Sequence, residues 1–350
     1  MYACISSFTF HRAFENGQLD AVTFPAFCRK EFGVRRVEYF DPDLFYAAKS
    51  PPALMDMPAD HAHVKEVRKA CDAAGVEVVA IAAQNDFTDP DENKRRADIN
   101  RVRHWLEVAP ALGARLIRIN SGNWFSKPGG AKRLKSSLEE IAPEAKSRDL
   151  TLVVENHPTN MQSVEEAQTL TDIVLGLNEY GVGTCPDNGH IASAVWADCL
   201  DMLLLVAKHC HVKFHTFDKG GNEPTIDYGR YFELLTKNNY AQVLSVEAVP
   251  PPTPLSPFCR IMITEKTLSK LRENEWAKTV IPKIEALEGR AFGKASELEE
   301  VLRDCLSPDE VGLYRKSLID AAEKEFPGLR ELIEFTGRGI ELLRREGVEL

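Results

Sequence analysis

AHVKEVRKACDAAGVEVVAIAA, residues 62–83, holds the pattern that decides the fold. Its first half, Ala62–Ala74, is rich in Ala, Lys, Arg and Glu, with apolar residues recurring at helical spacing. Gly75 follows, the residue a helix C-terminus favours because it adopts a left-handed conformation without strain. The run Val76–Ala83 is β-branched and apolar on both faces, as a strand covered on both sides must be. The pattern then repeats: Asn93–Leu112 reads as helix, Gly113 stops it, and Arg115–Asn120 (RLIRIN) reads as strand.

Extended in both directions, the alternation gives further strands at Tyr2–Phe8, Val34–Phe40, Leu150–Glu155, Gly181–Cys185, Val212–Thr216 and Val243–Glu247, with a further helix at Ala131–Arg148. Eight strands in eight such units predict an α/β protein, a closed (β/α)8 barrel. An open doubly wound sheet is disfavoured because no G-x-G-x-x-G opens a helix after any of the strands. The pattern breaks after Glu247. We expect residues 1–249 to form the main part of the barrel and 250–327 a Pro-rich linker (Pro250–Pro257) with a helical insertion lacking clear strands. Residues 328–350 then supply the closing barrel helix, Gly328–Glu346.

Composition narrows the partners. Lys and Arg number 43 against 53 Asp and Glu, a net charge of −10, and no basic stripe is present to displace counterions from nucleic acid. The eight cysteines include no CxxC pair, which argues against a zinc ribbon and for reduced, buried thiols. No stretch is long and apolar enough to span a bilayer, and the opening MYACISSFTF lacks a basic region followed by an apolar run. We therefore expect a cytoplasmic protein that acts on a small molecule.

Glu155, Asp187, His215 and Glu247 fall at or just past the ends of four consecutive expected strands, 32, 28 and 32 residues apart. A βα unit is on the order of 30 residues, so the four recur at matching places and share one rim, where barrel enzymes keep their active sites. Three carboxylates and one imidazole form a mostly oxygen set that suits a divalent metal, Mn2+ first, with Mg2+, Co2+ or Zn2+ as alternatives. Packed together without a cation, at least one carboxylate would take up a proton.

The motifs VVENH (Val153–His157), CPDNGH (Cys185–His190), HTFD (His215–Asp218) and IDYGRYFELLTKNNYAQVLSVE (Ile226–Glu247), with VEYF (Val37–Phe40), resemble those of the xylose-isomerase-like TIM barrels, the sugar isomerase/epimerase family. The likeness runs from the first strand through Glu247, roughly 70% of the chain. It implies Glu155, Asp187, His215 and Glu247 as metal ligands, Glu155 and Glu247 as the acid–base pair, and His190 as a ligand for a substrate oxygen. His157, two residues beyond Glu155, is a further base or a donor to a carboxylate. Two positions depart from the family pattern: Met161 stands where the epimerases have a second acid, and the family's H-x-K-D reads His215, Thr216, Phe217, Asp218, with Phe for Lys. Both suggest a different substrate or reaction subclass.

Among weaker candidates for binding a polyol are Glu38, Asn120 and Trp124, together with His11, Gln84, Asn85 and Phe125. The expected activity is metal-dependent isomerisation or epimerisation of a ketose or polyol-derived ketone by enediolate proton transfer. The alternatives are a lyase of the same family (an inosose-type dehydratase or C-glycoside deglycosidase) and a non-catalytic sugar-binding relative. A three-zinc endonuclease of this fold would need more ligands than can be placed, and the charge opposes DNA. We also expect a homo-oligomer, with a second type of subunit as a further partner.

Overall fold

The computed structural model describes residues 1–15, 17–44, 58–157, 161–248, 260–273, 277–292, 295–307, 311, 317–318, 321, 323–325 and 328–350. Eight parallel strands form the main sheet: β1 (Tyr2–Ser6), β2 (Arg36–Phe40), β3 (Glu77–Ala82), β4 (Leu116–Asn120), β5 (Thr151–Glu155), β6 (Gly183–Cys185), β7 (Cys210–Lys213) and β8 (Val243–Glu247). Their order is β6-β5-β4-β3-β2-β1-β8-β7, and the single bridges Thr184–Ala207 and Asp187–His211 join the two ends. The result is the expected (β/α)8 barrel.

The helices packed around it are α1 (Phe24–Phe32), α2 (Ala62–Ala74), α3 (Glu92–Leu112), α4 (Gly130–Ser147), α5 (Val164–Leu175), α6 (Trp196–Leu204) and α7 (Tyr228–Lys237). Gly75 and Gly113 end α2 and α3 at φ +63° and +88°, conformations that a side chain would strain. At the start of α3 the Asp91 carboxylate accepts from the Asn93 amide, satisfying a donor with no partner inside the helix. Helix α3 buries Ile99, Val102, Trp105, Leu106 and Leu112. Each such side chain contributes about 1.5–3 kcal/mol on transfer from water.

The chain forms two compact units, Met1–Ala248 with Leu332–Leu350, and Val249–Glu331. The second unit is not purely helical, contrary to expectation. It holds a three-stranded antiparallel sheet in which β9 (Arg260–Met262) lies between β10 (Ala291–Phe292) and β11 (Glu323–Glu325). It also contains helices α8 (Glu265–Arg272), α9 (Ala277–Ile284) and α10 (Ala295–Cys305). Ile261, Ile263, Leu268, Val280, Leu298 and Leu302 belong to its own apolar core. Strands of two or three residues are too short to show alternation, so the sequence pattern carries no trace of them. The expected Pro250–Pro257 linker lies outside the described residues.

Helix α11 (Leu329–Arg345) falls where the closing helix was expected. Its Gly339 lies against the Phe214 ring, whose Cδ2 would be 2.5 Å from a Cβ at that position. Beyond it, Glu349 bridges to Tyr2, tying the two ends of the described chain together.

Candidate metal centre

Glu155 and Glu247 are the last residues of β5 and β8, and Asp187 follows β6 by two. Their carboxylates meet the ring of His211, in β7, with one oxygen or nitrogen of each of the four within 4.8 Å of the others, all buried. His211 Nδ1 lies 2.8 Å from Glu155 Oε1, 3.4 Å from Glu247 Oε1 and 3.9 Å from Asp187 Oδ2. Ser6 Oγ donates to Glu247 Oε1 across 3.2 Å.

The imidazole in this group is therefore that of His211, and the expected ligand His215 is not part of it. The reason is strand register. The expected strand Val212–Thr216 begins at Cys210 and ends at Lys213, with Lys213 opposite Glu247. Side chains alternate along a strand, so His211 and Lys213 share the inner face, while Phe214 leaves the sheet and its ring stacks on Tyr228 at 5.3 Å. His215 lies half-buried in the loop beyond, with Nε2 beside Gly189. The H-x-K-D pattern thus fits four residues earlier, on His211, Val212, Lys213 and Phe214: the lysine is kept and the aspartate is replaced.

Three further residues, absent from the sequence reading, complete the group. Asn156 accepts from the Asp187 amide at 2.8 Å and donates to the Asp187 and His190 carbonyls at 3.1 and 3.0 Å. Asp187 Oδ1 accepts from the Gly189 amide at 2.8 Å, which leaves Oδ2 facing the cluster. Arg118 NH1 lies 3.2 Å from Glu155 Oε2, and Lys213 Nζ lies 3.0 Å from Asp187 Oδ2 and also contacts Glu247 Oε2. The two basic residues lie on the inner face of their strands, Lys213 beside His211 and Arg118 beside Asn120, with apolar residues at the alternate positions, an alternation visible in the sequence.

Burial alone would raise the Glu155 and Glu247 carboxyls. Arg118 and His211 outweigh it at Glu155 and hold that group well below the usual range. Lys213, His211 and Arg118 do the same at Glu247, pulling it to about 2. Burial also disfavours a charged His211, yet Cys185, Glu38, Glu247 and Glu155 together raise it well above the ordinary imidazole value. The Cys185 thiol is itself pushed up to about 12 by burial and is neutral below that, so the carboxylates carry the effect.

Glu38, expected near substrate, lies wholly buried behind His211, with Oε1 2.9 Å from His211 Nε2 and Oε2 2.5 Å from His209 Nε2. A proton on Nε2 shared with Glu38 leaves the Nδ1 lone pair for a cation, the usual support for a metal-bound histidine. Glu155 Oε2 and Asp187 Oδ2 are buried with no hydrogen-bond donor among the described residues, although Arg118 and Lys213 pair with them as ions. Three carboxylates, one backed imidazole and two such oxygens fit a divalent ion of hard to intermediate character. Among the described residues, one other group has metal-ligand spacing, Cys185, His209 and His211, which shares His211 with the first.

The remaining candidates are spread around this centre. His190 Nε2 is 3.9 Å from Asp187 Oδ2, and its ring meets that of His157 edge-on at 4.7 Å. Burial pulls the His157 imidazole down to about 4, so it is neutral at ordinary pH, and its Nδ1 has no hydrogen-bond partner among the described residues. Asn120 and Asn85 are committed to each other: Asn120 N donates to Asn85 Oδ1 at 2.7 Å and Asn120 Nδ2 to the Asn85 carbonyl at 3.1 Å. Gln84 receives Arg101, and His11 pairs with Asp43. Trp124 is 41% exposed, whereas its neighbour Phe125 is buried. Met161 is buried and bridges to Ile191 through its backbone.

A parallel barrel with a buried carboxylate–imidazole group at one rim defines a class of protein, and comparison with known proteins refines it. The sequence profile of the xylose isomerase-like TIM barrels matches residues 29–261, and the chain belongs to that family. No curated protein sequence matches. Among solved structures, 3-keto-D-glucoside 4-epimerase (YcjR) from E. coli is 17% identical, with a TM-score of 0.53 over 72% of this chain and 94% of that one. The IolI protein with a binding zinc atom is 18% identical, with a TM-score of 0.55 over 72% and 90%. The probable 3-DHS dehydratase AsbF of Bacillus anthracis is 12% identical, with a TM-score of 0.52 over 71% and 92%. At these identities the likeness is one of fold. Among the described residues no helix is long and apolar enough to cross a membrane.

Proposed function

We propose that the chain is a divalent-metal-dependent enzyme that moves a proton next to the carbonyl of a sugar or sugar-derived ketone, acting as an isomerase or epimerase. The observation that carries this reading is the meeting of Glu155 and Glu247, from β5 and β8, at the Nδ1 edge of one backed histidine. Glu155, Asp187, His211 and Glu247 would hold the ion, Mn2+ first among the candidates, and when bound it would polarise the substrate carbonyl.

Both glutamates are held ionised at neutral pH by the cations around them. Either can accept the α-proton while the other returns one, and the face and carbon of return separate epimer from aldose–ketose isomer. Arg118 offsets charge at Glu155, and Asn156 fixes Asp187 relative to the loop that carries His190. His190, and Trp124 at the exposed rim, are the proposed contacts for substrate.

A second reading, elimination, is favoured by His157. It is a neutral imidazole beside His190 whose Nδ1 has no hydrogen-bond partner among the described residues, and separately Met161 stands where the epimerases have a second acid. There the proton taken from carbon would be followed by loss of a β-oxygen or a C-linked sugar.

The test is incubation of Mn-loaded protein with ketoses, inososes and C-glycosides in deuterated water, followed by NMR. Deuterium entering a carbon next to a carbonyl, lost in Glu247→Gln, supports proton transfer at this site, and a released olefinic product assigns the lyase. Exchange at an undiminished rate in Glu247→Gln overturns the acid–base role.

A further inference from the structure

Lys213 is buried, and its stem runs across Gly189, where an added Cβ would collide with Lys213 Cγ and lie 2.9 Å from its Cβ. Its backbone amide donates to Asn188 Oδ1 at 2.8 Å, and its ammonium lies 5.9 Å from the centroid of the Phe8 ring. So held, Nζ sits 3.0 Å from Asp187 Oδ2 and against Glu247 Oε2, two carboxylates of the proposed ligand set.

We propose that Lys213 is a tethered resident cation that competes with the divalent ion for Asp187 and Glu247. Metal entry is then an exchange of one cation for another. The ammonium keeps the buried carboxylates compensated while the site is metal-free, since unpaired buried charge is strongly destabilising. It lowers metal affinity because Asp187 Oδ2 serves both cations and because like charges repel at short range. The inference rests on the metal-dependent reading above.

Free Mn2+ measured by electron paramagnetic resonance during titration of wild type, Lys213→Met and Glu247→Gln tests it. We expect Lys213→Met to bind Mn2+ at least about tenfold tighter than wild type, with a lower melting temperature when metal-free and a larger rise on adding Mn2+. Equal or weaker binding by Lys213→Met, with wild type binding one ion that Glu247→Gln loses, overturns the competition but leaves the metal site standing. A wild type and Lys213→Met that both bind no Mn2+ overturn the metal reading itself, and this proposal with it. Should Lys213→Met fold only with metal present, both proteins are purified with Mn2+ and the release of the ion to a chelator is timed. Slower release from the variant supports the competition, and equal or faster release overturns it.

Discussion

Nε2 of His211 lies 2.9 Å from Glu38 Oε1, a contact that crosses the barrel interior from β7 to β2 and fixes which edge of the ring faces the carboxylates. Partners of this kind cost 10–100-fold in metal affinity when removed. Glu38→Gln is expected to weaken Mn2+ binding about tenfold, read by the same titration. Unchanged affinity would show that the ring is oriented by its other neighbours.

The register of β7 separates two histidines four residues apart. His211→Gln should abolish stoichiometric metal binding, while His215→Gln should retain the ion with affinity within about threefold of wild type. Elemental analysis of the dialysed variants decides it. Metal lost from the His215 variant and kept by the His211 variant would reverse the assignment.

Asp41 offers a pH-dependent prediction away from the metal centre. Burial pushes its carboxyl up to about 6 despite Arg101, and Trp105 donates to Oδ2 at 3.2 Å. A folded-state pKa above the unfolded one gives stability that is full at low pH and lost as pH rises through about 6. Asp41→Asn keeps an acceptor for Trp105 and removes the charge. It should be more stable than wild type by roughly 1–3 kcal/mol at pH 8 and no more stable near pH 4. Denaturant unfolding at the two pH values measures it, and a gain independent of pH would point away from ionisation.

Gly189 has no left-handed backbone to explain it; what it lacks is room, because the Lys213 stem lies across it. Gly189→Ala should cost about 1–3 kcal/mol through overpacking, seen as a lower melting temperature. No loss would mean that the stem has space to shift.

The barrel was legible because its strands are buried on both faces and so read as unbroken apolar runs between helices stopped by glycine. Glu155, Asp187 and Glu247 were legible because they stand at strand ends. The histidine was not. The near-even spacing of 32, 28 and 32 residues favoured His215, yet with His211 the separations are 32, 24 and 36. The β6–β7 unit is short, and Phe214 prolongs the apolar run past the true strand end. Arg118, Lys213 and Glu38 were hard to place in the interior because buried charge contradicts the pattern from which strands are read, and only their mutual pairing makes it tolerable. The Asn85–Asn120 exchange links two strand ends through side-chain and backbone groups together, which no periodicity reports.

Asn156, directly after Glu155, spends its amide on the neighbouring loop, at the Asp187 backbone and the His190 carbonyl. Two stretches of rim that are separate in the chain are thereby fastened as one plate, so Asp187 and His190 keep their separation when the rim breathes. Any adjustment to a substrate of different size falls to the sectors of the mouth that this one amide does not fasten.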